Sequence, residues 1–475
     1  MKQVFNPFLP SWEYIPDGEP HIFGDRVYLY GSHDRFNGKA FCLNDYVCWS
    51  APVDNLKEWR YEGVIWKKSD DPVKVKGFFK DMYAPDVVQG IDGKYYLYYF
   101  KGADGTIAVA VCDTPAGHYK YLGRVKYSDG TLLGRKNEKD LWQFDPAVFK
   151  DDDGKIYLYT GMSPKGPNFF TRYRPINTNG AMGAVLEDDM LTVKLPLARI
   201  AKSQHCSKGT GYEGHEFFEA SSIRKFNGKY YFIYSSVNGH ELCYAMSDSP
   251  LGEFEYKGTL VSIGDVGISQ KPLNYLGNTH GSLIYIKGKY YVFYHRQTNR
   301  HCFSRQACAE EIEMNADGTF RQAEITSCGL NGGALEAKGS YEARIACNLF
   351  SRKGVKFYTL KTPKGCYPFF TQSGKDREDN PDQYIANFCN GATAGFKYFD
   401  FKGNKKISVT VKGKANGYVF VKDGLNGNIV AKIQITPCKA ETEFSADINI
   451  ENGIKPLYFT FSGKGNFDFY SFNLE

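Results

Sequence analysis

A short aromatic strand entered through a tight polar turn occurs five times in the first two thirds of this chain: GDRVYLYGS, DGKYYLYYF, DGKIYLYTG, NGKYYFIYS and KGKYYVFYH. Counting from Tyr28, the matching tyrosines are Tyr96, Tyr157, Tyr231 and Tyr291, at intervals of 68, 61, 74 and 60 residues. Such intervals are too long for a helical solenoid and suit a sheet of several strands with its loops. A repeated sheet cannot bury both faces alone. Radial stacking about an axis buries them and leaves only short, protected edges, so the repeat predicts a five-bladed β-propeller.

The repeat stops near residue 325 of 475, and a chain of this length exceeds what one hydrophobic core usually supports. Between the repeated strands lie further hairpins, SAPVDNLKEW, CDTPAGHYKYLG and SDSPLGEFEYKG, which fit the outer parts of successive blades. After the Gly-rich run from Gly329 to Gly333 a different alternation begins, in KISVTVKGK, GYVFVKDG and IVAKIQITP. Short strands separated by Gly and Asn turns read as a β-sandwich. The expected organisation is a propeller over 1–328, a linker over 329–340 and a jelly-roll-like sandwich over 341–475. With 16% aromatics and 49 glycines, the chain is expected to be all-β.

The formal charge of +6 comes from scattered lysines, including Lys67, Lys68, Lys74 and Lys76 in what reads as an exposed loop, so no nucleic-acid partner is expected. No stretch reaches the roughly 20 apolar residues of a membrane helix, and no membrane partner is expected. The opening MKQVFNPFLP has no apolar signal core, which points to the cytoplasm, or to export with a signal already removed. The 12 cysteines are dispersed from Cys42 to Cys438 without CxxC pairs and read as reduced, mostly buried thiols. His215-Glu216-Phe217-Phe218-Glu219 has Glu where a zinc-protease helix has its second His, and it sits in strand-like sequence. Cys302 and Cys308 near His301 fit no standard zinc spacing.

Three carboxylates share a register. Asp17, Asp145 and Glu219 lie about nine to twelve residues ahead of the first, third and fourth Tyr-rich strands, which are read as the inner strands of their blades. Loops at one end of a propeller converge on the axis, so these groups can meet despite their separation in sequence. Converging carboxylates among aromatics suit glycoside hydrolysis, in which a protonated acid feeds the leaving oxygen and a carboxylate activates water. Any one of them could instead be a turn residue. His33 and Asp34, directly after the first Tyr-rich strand, suit sugar contacts or a strand-end turn. Arg305 suits a channel contact or a structural ion pair.

Taken together, these phrases resemble glycoside hydrolase family 43 over about residues 5 to 325. The family's opening phrase is matched by Asn6-Pro7 and Pro16-Asp17, its middle phrase by Asp145 through Gly154, and its acid phrase by Glu219, nine residues before Gly228. Further matches are Ala84-Pro85-Asp86 and His280-Gly281-Ser282. The resemblance implies a five-bladed propeller and an inverting mechanism with Asp17 as base, Asp145 as modulator of the acid's pKa and Glu219 as acid. Glu19-Pro20 is the alternative for the base, although the interval to Tyr28 favours Asp17. The acid phrase departs from the family pattern in reading Glu-Ala-Ser-Ser. Asp86, Phe144 and His280 are further candidates for sugar contact, and the resemblance places His280 near the axis, beside a water or a structural calcium ion. No cofactor is expected to be required. The last strands, LYFTFSGKGNFDFYSFNLE, are similar to a family 6 carbohydrate-binding module.

The resulting expectation is an exo-acting glycosidase for a carbohydrate substrate. The order of preference is α-L-arabinofuranosidase, then β-xylosidase, with a catalytically silent sugar-binding propeller as the reading from another class.

Overall fold

The computed structural model describes residues 2–73, 81–102, 105–134, 142–166, 179–358 and 365–475. Lys74 and Lys76 of the expected lysine loop lie outside the described residues. Four antiparallel four-stranded sheets and a three-stranded sheet account for the first part of the chain. The first holds β1 (Glu19–Phe23), β2 (Arg26–Tyr30), β3 (Tyr46–Pro52) and β4 (Arg60–Trp66). The second holds β5 (Met82–Gln89), β6 (Tyr95–Lys101), β7 (Ile107–Cys112) and β8 (Lys120–Arg124). The third holds β9 (Ala147–Lys150), β10 (Ile156–Thr160), β11 (Ala181–Val185) and β12 (Ala198–Ala201). The fourth holds β13 (Phe217–Phe226), β14 (Lys229–Ser236), β15 (Glu241–Ser247) and β16 (Glu255–Ser262), and the fifth β17 (Ser282–Ile286), β18 (Lys289–Gln297) and β19 (Arg305–Ile312).

The first strands of the five sheets touch in a closed circuit, β1 with β5, β5 with β9, β9 with β13, β13 with β17 and β17 with β1. This is a five-bladed propeller whose first strands line the axis. The expectation that the Tyr-rich phrases are the inner strands is corrected here: they form the second strands, β2, β6, β10, β14 and β18, and the first strands are segments such as EPHIF and AVFK. The doubled aromatics have a packing reason. Successive side chains of a strand point to opposite faces, so Tyr98 packs with Leu158 of the third blade while Tyr99 packs with Tyr30 and Tyr46 of the first. Each neighbouring pair of blades shares one such buried cluster. The N-terminus closes the ring: Asn6 Nδ2 donates to Ala309 O at 2.9 Å and Asn6 Oδ1 accepts from Ala309 N at 3.0 Å, so a side-chain amide stands in for strand backbone beside β19.

Two six-stranded sheets between Leu335 and Leu474 enclose a core built around Phe396, Phe459, Phe469 and Phe472. Strand Leu335–Glu336, in the stretch read as a linker, pairs with Thr393–Phe401. The expectation that all cysteines are reduced is corrected here: Cys366 and Cys389 form a disulfide with Cα atoms 6.4 Å apart, and the other ten are free. The pairing of Phe369–Gln372 with Gln383–Cys389 brings these two together across 23 residues, a separation that carries no motif. Sandwich and propeller are joined by charge. Lys397, buried, pairs with Asp265 at 3.0 Å and Glu324 at 2.9 Å, and Arg296 Nη1 donates to Arg344 O at 2.7 Å while its guanidinium lies 4.0 Å from the Phe370 ring.

The register between β13 and β14 shifts on both sides of Glu219, and Ala220 adopts φ 70°. A bulge re-aims the side chain it carries, and here it turns Glu219 out of strand alternation. Alanine in this conformation costs about 1–2 kcal/mol, which glycine avoids. Ala220→Gly is therefore expected to raise Tm, with a net gain of about 1 kcal/mol after glycine's greater chain entropy is counted. Scanning calorimetry showing an unchanged or lower Tm would mean that the bulge stores no such strain.

Candidate active site

The bulge at Glu219 and the turns ahead of β1 and β9 bring three carboxyl groups to one cavity of about 260 Å³ at the end of the axis. Asp17 and Asp145 both have positive φ, 58° and 44°, a conformation that Asp tolerates better than most residues. Both are buried, and Glu219 is half-buried and open to the cavity. The Ala220 backbone N–H lies near Asp145 and slightly offsets the rise that burial imposes on that carboxyl group. His280, Asn278 and Arg305 also line the cavity, and its walls are Phe41, Tyr83, Phe144, Met162, Phe218, Cys302, Phe357 and Tyr358.

Arg305 organises the Asp17 side. Its Nη1 lies 3.0 Å from Asp17 Oδ1, while Nε and Nη2 meet the two Asp34 oxygens at 2.8 and 3.0 Å. Asp34 also accepts the Arg305 and Cys42 backbone N–H groups, and the Phe41 ring lies 4.8 Å from the guanidinium. His295 Nε2 is 2.9 Å from Asn278 O, which fixes the proton there and leaves Nδ1 to accept the Asp17 backbone N–H at 3.3 Å. His280 Nδ1 sits between Asp145 Oδ2 at 3.7 Å and Asp17 Oδ1 at 3.9 Å, and its buried Nε2 has no hydrogen-bond partner among the described residues.

These surroundings set the three carboxyl groups apart. Burial would raise the pKa of Asp17, but Arg305, then His280 and His295, outweigh it and hold the carboxyl below its ordinary value. Burial pushes the two histidines down to about 4 and about 3, so both are neutral at neutral pH and Arg305 is the charge that keeps Asp17 ionised. Glu219 is pushed up to about 7 by burial and then by the Asp17 charge. Asp145 is raised by burial and then by the charges of Glu219 and Asp17, so Asp145 and Glu219 titrate as a pair. One ionised carboxylate thus faces a pair that retains a proton near neutral pH.

Of the residues singled out in the sequence, Asp17, Asp145, Glu219, Phe144, His280 and Arg305 line the cavity. Three expected sugar contacts do not. Asp34 is fully committed to Arg305 and the Cys42 backbone, so it positions the cation. His33 is buried, with Nδ1 2.6 Å from Asp45 O and Nε2 3.0 Å from Glu13. Asp86 accepts from the backbone of Val87 and Val148, each at 2.7 Å, and meets His21 at 2.6 Å, which ties the first three blades together. Glu19, the alternative to Asp17, faces Arg224 and Ser222 deeper in the channel and does not line the cavity. Sequence reasoning missed Tyr83 and Phe218, which sit directly beside recognised phrases, and His295, which ends the fifth Tyr-rich strand. Nothing in the sequence pointed to Phe357 or Tyr358. The expected calcium neighbourhood offers the unpartnered nitrogen of His280, which fits one donor to an ion that otherwise keeps its water, since calcium prefers oxygen ligands.

The model for glycosyl hydrolases family 43 matches residues 6–320. A xylosidase/arabinosidase of Thermoclostridium stercorarium is 52% identical over 480 residues, covering 100% of this chain and 99% of that protein. An arabinoxylan arabinofuranohydrolase of Paenibacillus polymyxa is 26% identical, over 96% of this chain and 70% of that protein. The crystal structure of a family 43 arabinoxylan arabinofuranohydrolase from Bacillus subtilis, at 22% identity, matches in fold with a TM-score of 0.53 over 99% of this chain and 97% of that one. A family 43 β-xylosidase/α-arabinofuranosidase from a compost metagenome, crystallised with xylotriose, is 29% identical with a TM-score of 0.52, over 66% of this chain and 94% of that one. The chain belongs to glycosyl hydrolase family 43 and is a glycosidase.

Proposed function

We propose that this glycosidase is exo-acting and inverting, and that it removes terminal α-L-arabinofuranosyl residues from arabinoxylan-derived glycans, with terminal β-xylosyl residues as the second substrate. The observation that carries the mechanism is the split in proton affinity within one cavity, which both an ionised Asp17 and a protonated Glu219 line. Asp17 takes a proton from a water whose oxygen attacks the anomeric carbon. Glu219 gives its proton to the glycosidic oxygen as the bond to that carbon breaks. Asp145 shares a proton with Glu219, because the two charges repel when both are ionised, and so helps the pair to stay protonated near neutral pH. A calcium ion at His280, held mainly by water, would add positive charge near the carboxylates.

The names of relatives, xylosidase/arabinosidase and arabinoxylan arabinofuranohydrolase, support the pentose and the polymer of origin. The size of the cavity supports an exo action, because about 260 Å³ lies at the small end for ligand pockets and suits a single sugar. A silent lectin would gain nothing from three carboxyl groups gathered in one cavity.

Aryl α-L-arabinofuranoside and aryl β-xyloside, each assayed with wild type, Glu219→Gln and Asp17→Asn, test the reading. Turnover of at least one is expected, reduced about a hundredfold or more in both variants. Binding without turnover in the wild type would favour the lectin instead.

The pH profile follows from the two proton affinities. Activity needs Asp17 ionised and Glu219 protonated, so kcat/KM is expected to fall as pH rises through about 7 and to hold on the acid side to below the ordinary carboxylate range. Because the Asp145 and Glu219 charges repel, Asp145→Asn is expected to move the alkaline limb to lower pH. An unmoved limb would remove Asp145 from the modulating role.

Proton NMR of the first-formed sugar should show the anomer opposite to that of the substrate. Inversion requires room for a water, with carboxyl groups about 6.5–9.5 Å apart. Retention of configuration would exclude Asp17 as a general base.

A further inference from the structure

The cavity is closed on one side by the sandwich. The segment that carries Phe357 and Tyr358 lies against the propeller loop ahead of β17: Leu276 N donates to Lys356 O at 3.2 Å, and Tyr358 N donates to Leu276 O at 2.6 Å. Tyr358 is buried and stacks on Tyr275 of the propeller, with ring centroids 4.5 Å apart and planes 16° apart. That stack fixes the backbone and leaves the neighbouring Phe357 ring at the cavity edge, 46% exposed.

The ring's place in the site follows from its neighbours. A Cβ added at Gly239 would come within 3.2 Å of the Phe357 ring tip, so the ring rests on the turn between β14 and β15. Ser235, just before that turn, pairs with Glu219 across β13 and β14. Phe357 therefore flanks the side of the cavity that holds the carboxyl group read as the acid. The acid hands its proton to the leaving oxygen, so the glycan attached to the departing oxygen passes on this side. The sandwich also fixes part of the opposite wall. Asp376 accepts from Phe36 N at 2.6 Å and Asn44 Nδ2 at 3.0 Å, pinning both ends of the loop that carries Phe41.

An exposed aromatic face, held rigidly at the mouth of a sugar-sized cavity, matches the apolar C–H face of a pyranose ring. We propose that Phe357 is the stacking platform of the leaving-group subsite, so that the sandwich domain selects the glycan from which the terminal sugar is removed. This rests on the glycosidase mechanism given above, with Glu219 as its acid. The platform takes a xylose unit of a xylo-oligosaccharide.

The test compares substrates that carry a sugar on the leaving side with substrates that do not. The ratio of kcat/KM for arabinofuranosyl-xylotriose over methyl α-L-arabinofuranoside, and for xylobiose over methyl β-xyloside, is expected to fall about tenfold in Phe357→Ala, the loss of about 1.4 kcal/mol of stacking. Phe357→Trp is expected to keep the ratio. An unchanged ratio in Phe357→Ala, or an equal loss for both kinds of substrate, overturns the platform. Calorimetry with xylotriose and arabinofuranosyl-xylotriose on Glu219→Gln, with and without Phe357→Ala, reads the platform without turnover, and about tenfold weaker binding is expected in the double variant. Equal affinity, or no binding to either variant, overturns the proposal. A wild type that binds through Phe357 yet cleaves none of the glycosides would sink the proposed function and leave the platform standing. The ring is half exposed, so its truncation leaves the core intact, and an unchanged Tm verifies this for each variant.

Discussion

The site depends on one buried cation. Arg305 lies between Asp34 and Asp17, and the two contacts differ in kind: a two-pronged pair with Asp34 fixes the guanidinium plane, and the remaining nitrogen is presented to Asp17. A buried guanidinium with one carboxylate partner is satisfied in charge, and a second carboxylate in reach is then kept ionised although burial opposes it. Among the described residues, Asp17 alone of the three cavity carboxyl groups has such a partner. Glu219 and Asp145 share the same enclosure without a dedicated cation, and their proton affinity rises. The difference in proton affinity between Asp17 and Glu219 thus depends on the placement of a single side chain from β19, on the last blade.

The propeller makes that placement possible because its ring closes. Arg305 belongs to the fifth blade and Asp17 and Asp34 to the first, so the contacts span the joint between the last and first blades. Asn6 fastens the same joint on the outside by pairing its side-chain amide with Ala309, four residues after Arg305. The Phe293 and Val27 cluster packs between these two blades.

The sandwich belongs to the same construction. Its contacts with the propeller include the buried pair of Lys397 with Asp265, the half-buried ion pairs of Lys397 with Glu324 and of Arg377 with Glu13 at 2.7 Å, and the stack of Tyr358 on Tyr275. Groups desolvated in this way lose their partners if the domains part, which is costly, so the interface behaves as a fixed wall. A cavity wall built on such an interface can be as rigid as one built on a blade.

The sequence by itself determined the architecture and the three carboxyl groups. Tyr-rich strands at intervals of 60 to 74 residues record a local requirement, since a strand whose two faces are buried against different neighbours needs large apolar side chains at successive positions. Asp17, Asp145 and Glu219 were legible because each holds a fixed offset from such a strand, and chain geometry carries that offset into space. The tertiary structure decided what no offset encodes. It showed that the strand preceding each Tyr-rich phrase lines the axis, that Asp34, His33 and Asp86 spend their hydrogen-bonding capacity within the protein, and that Asp17 stands by the cavity while Glu19 faces Arg224. It also brought Phe357 and Tyr358 to the cavity from well over a hundred positions beyond Glu219. Contacts between distant segments depend on how whole domains pack, and packing leaves no periodic trace in either segment.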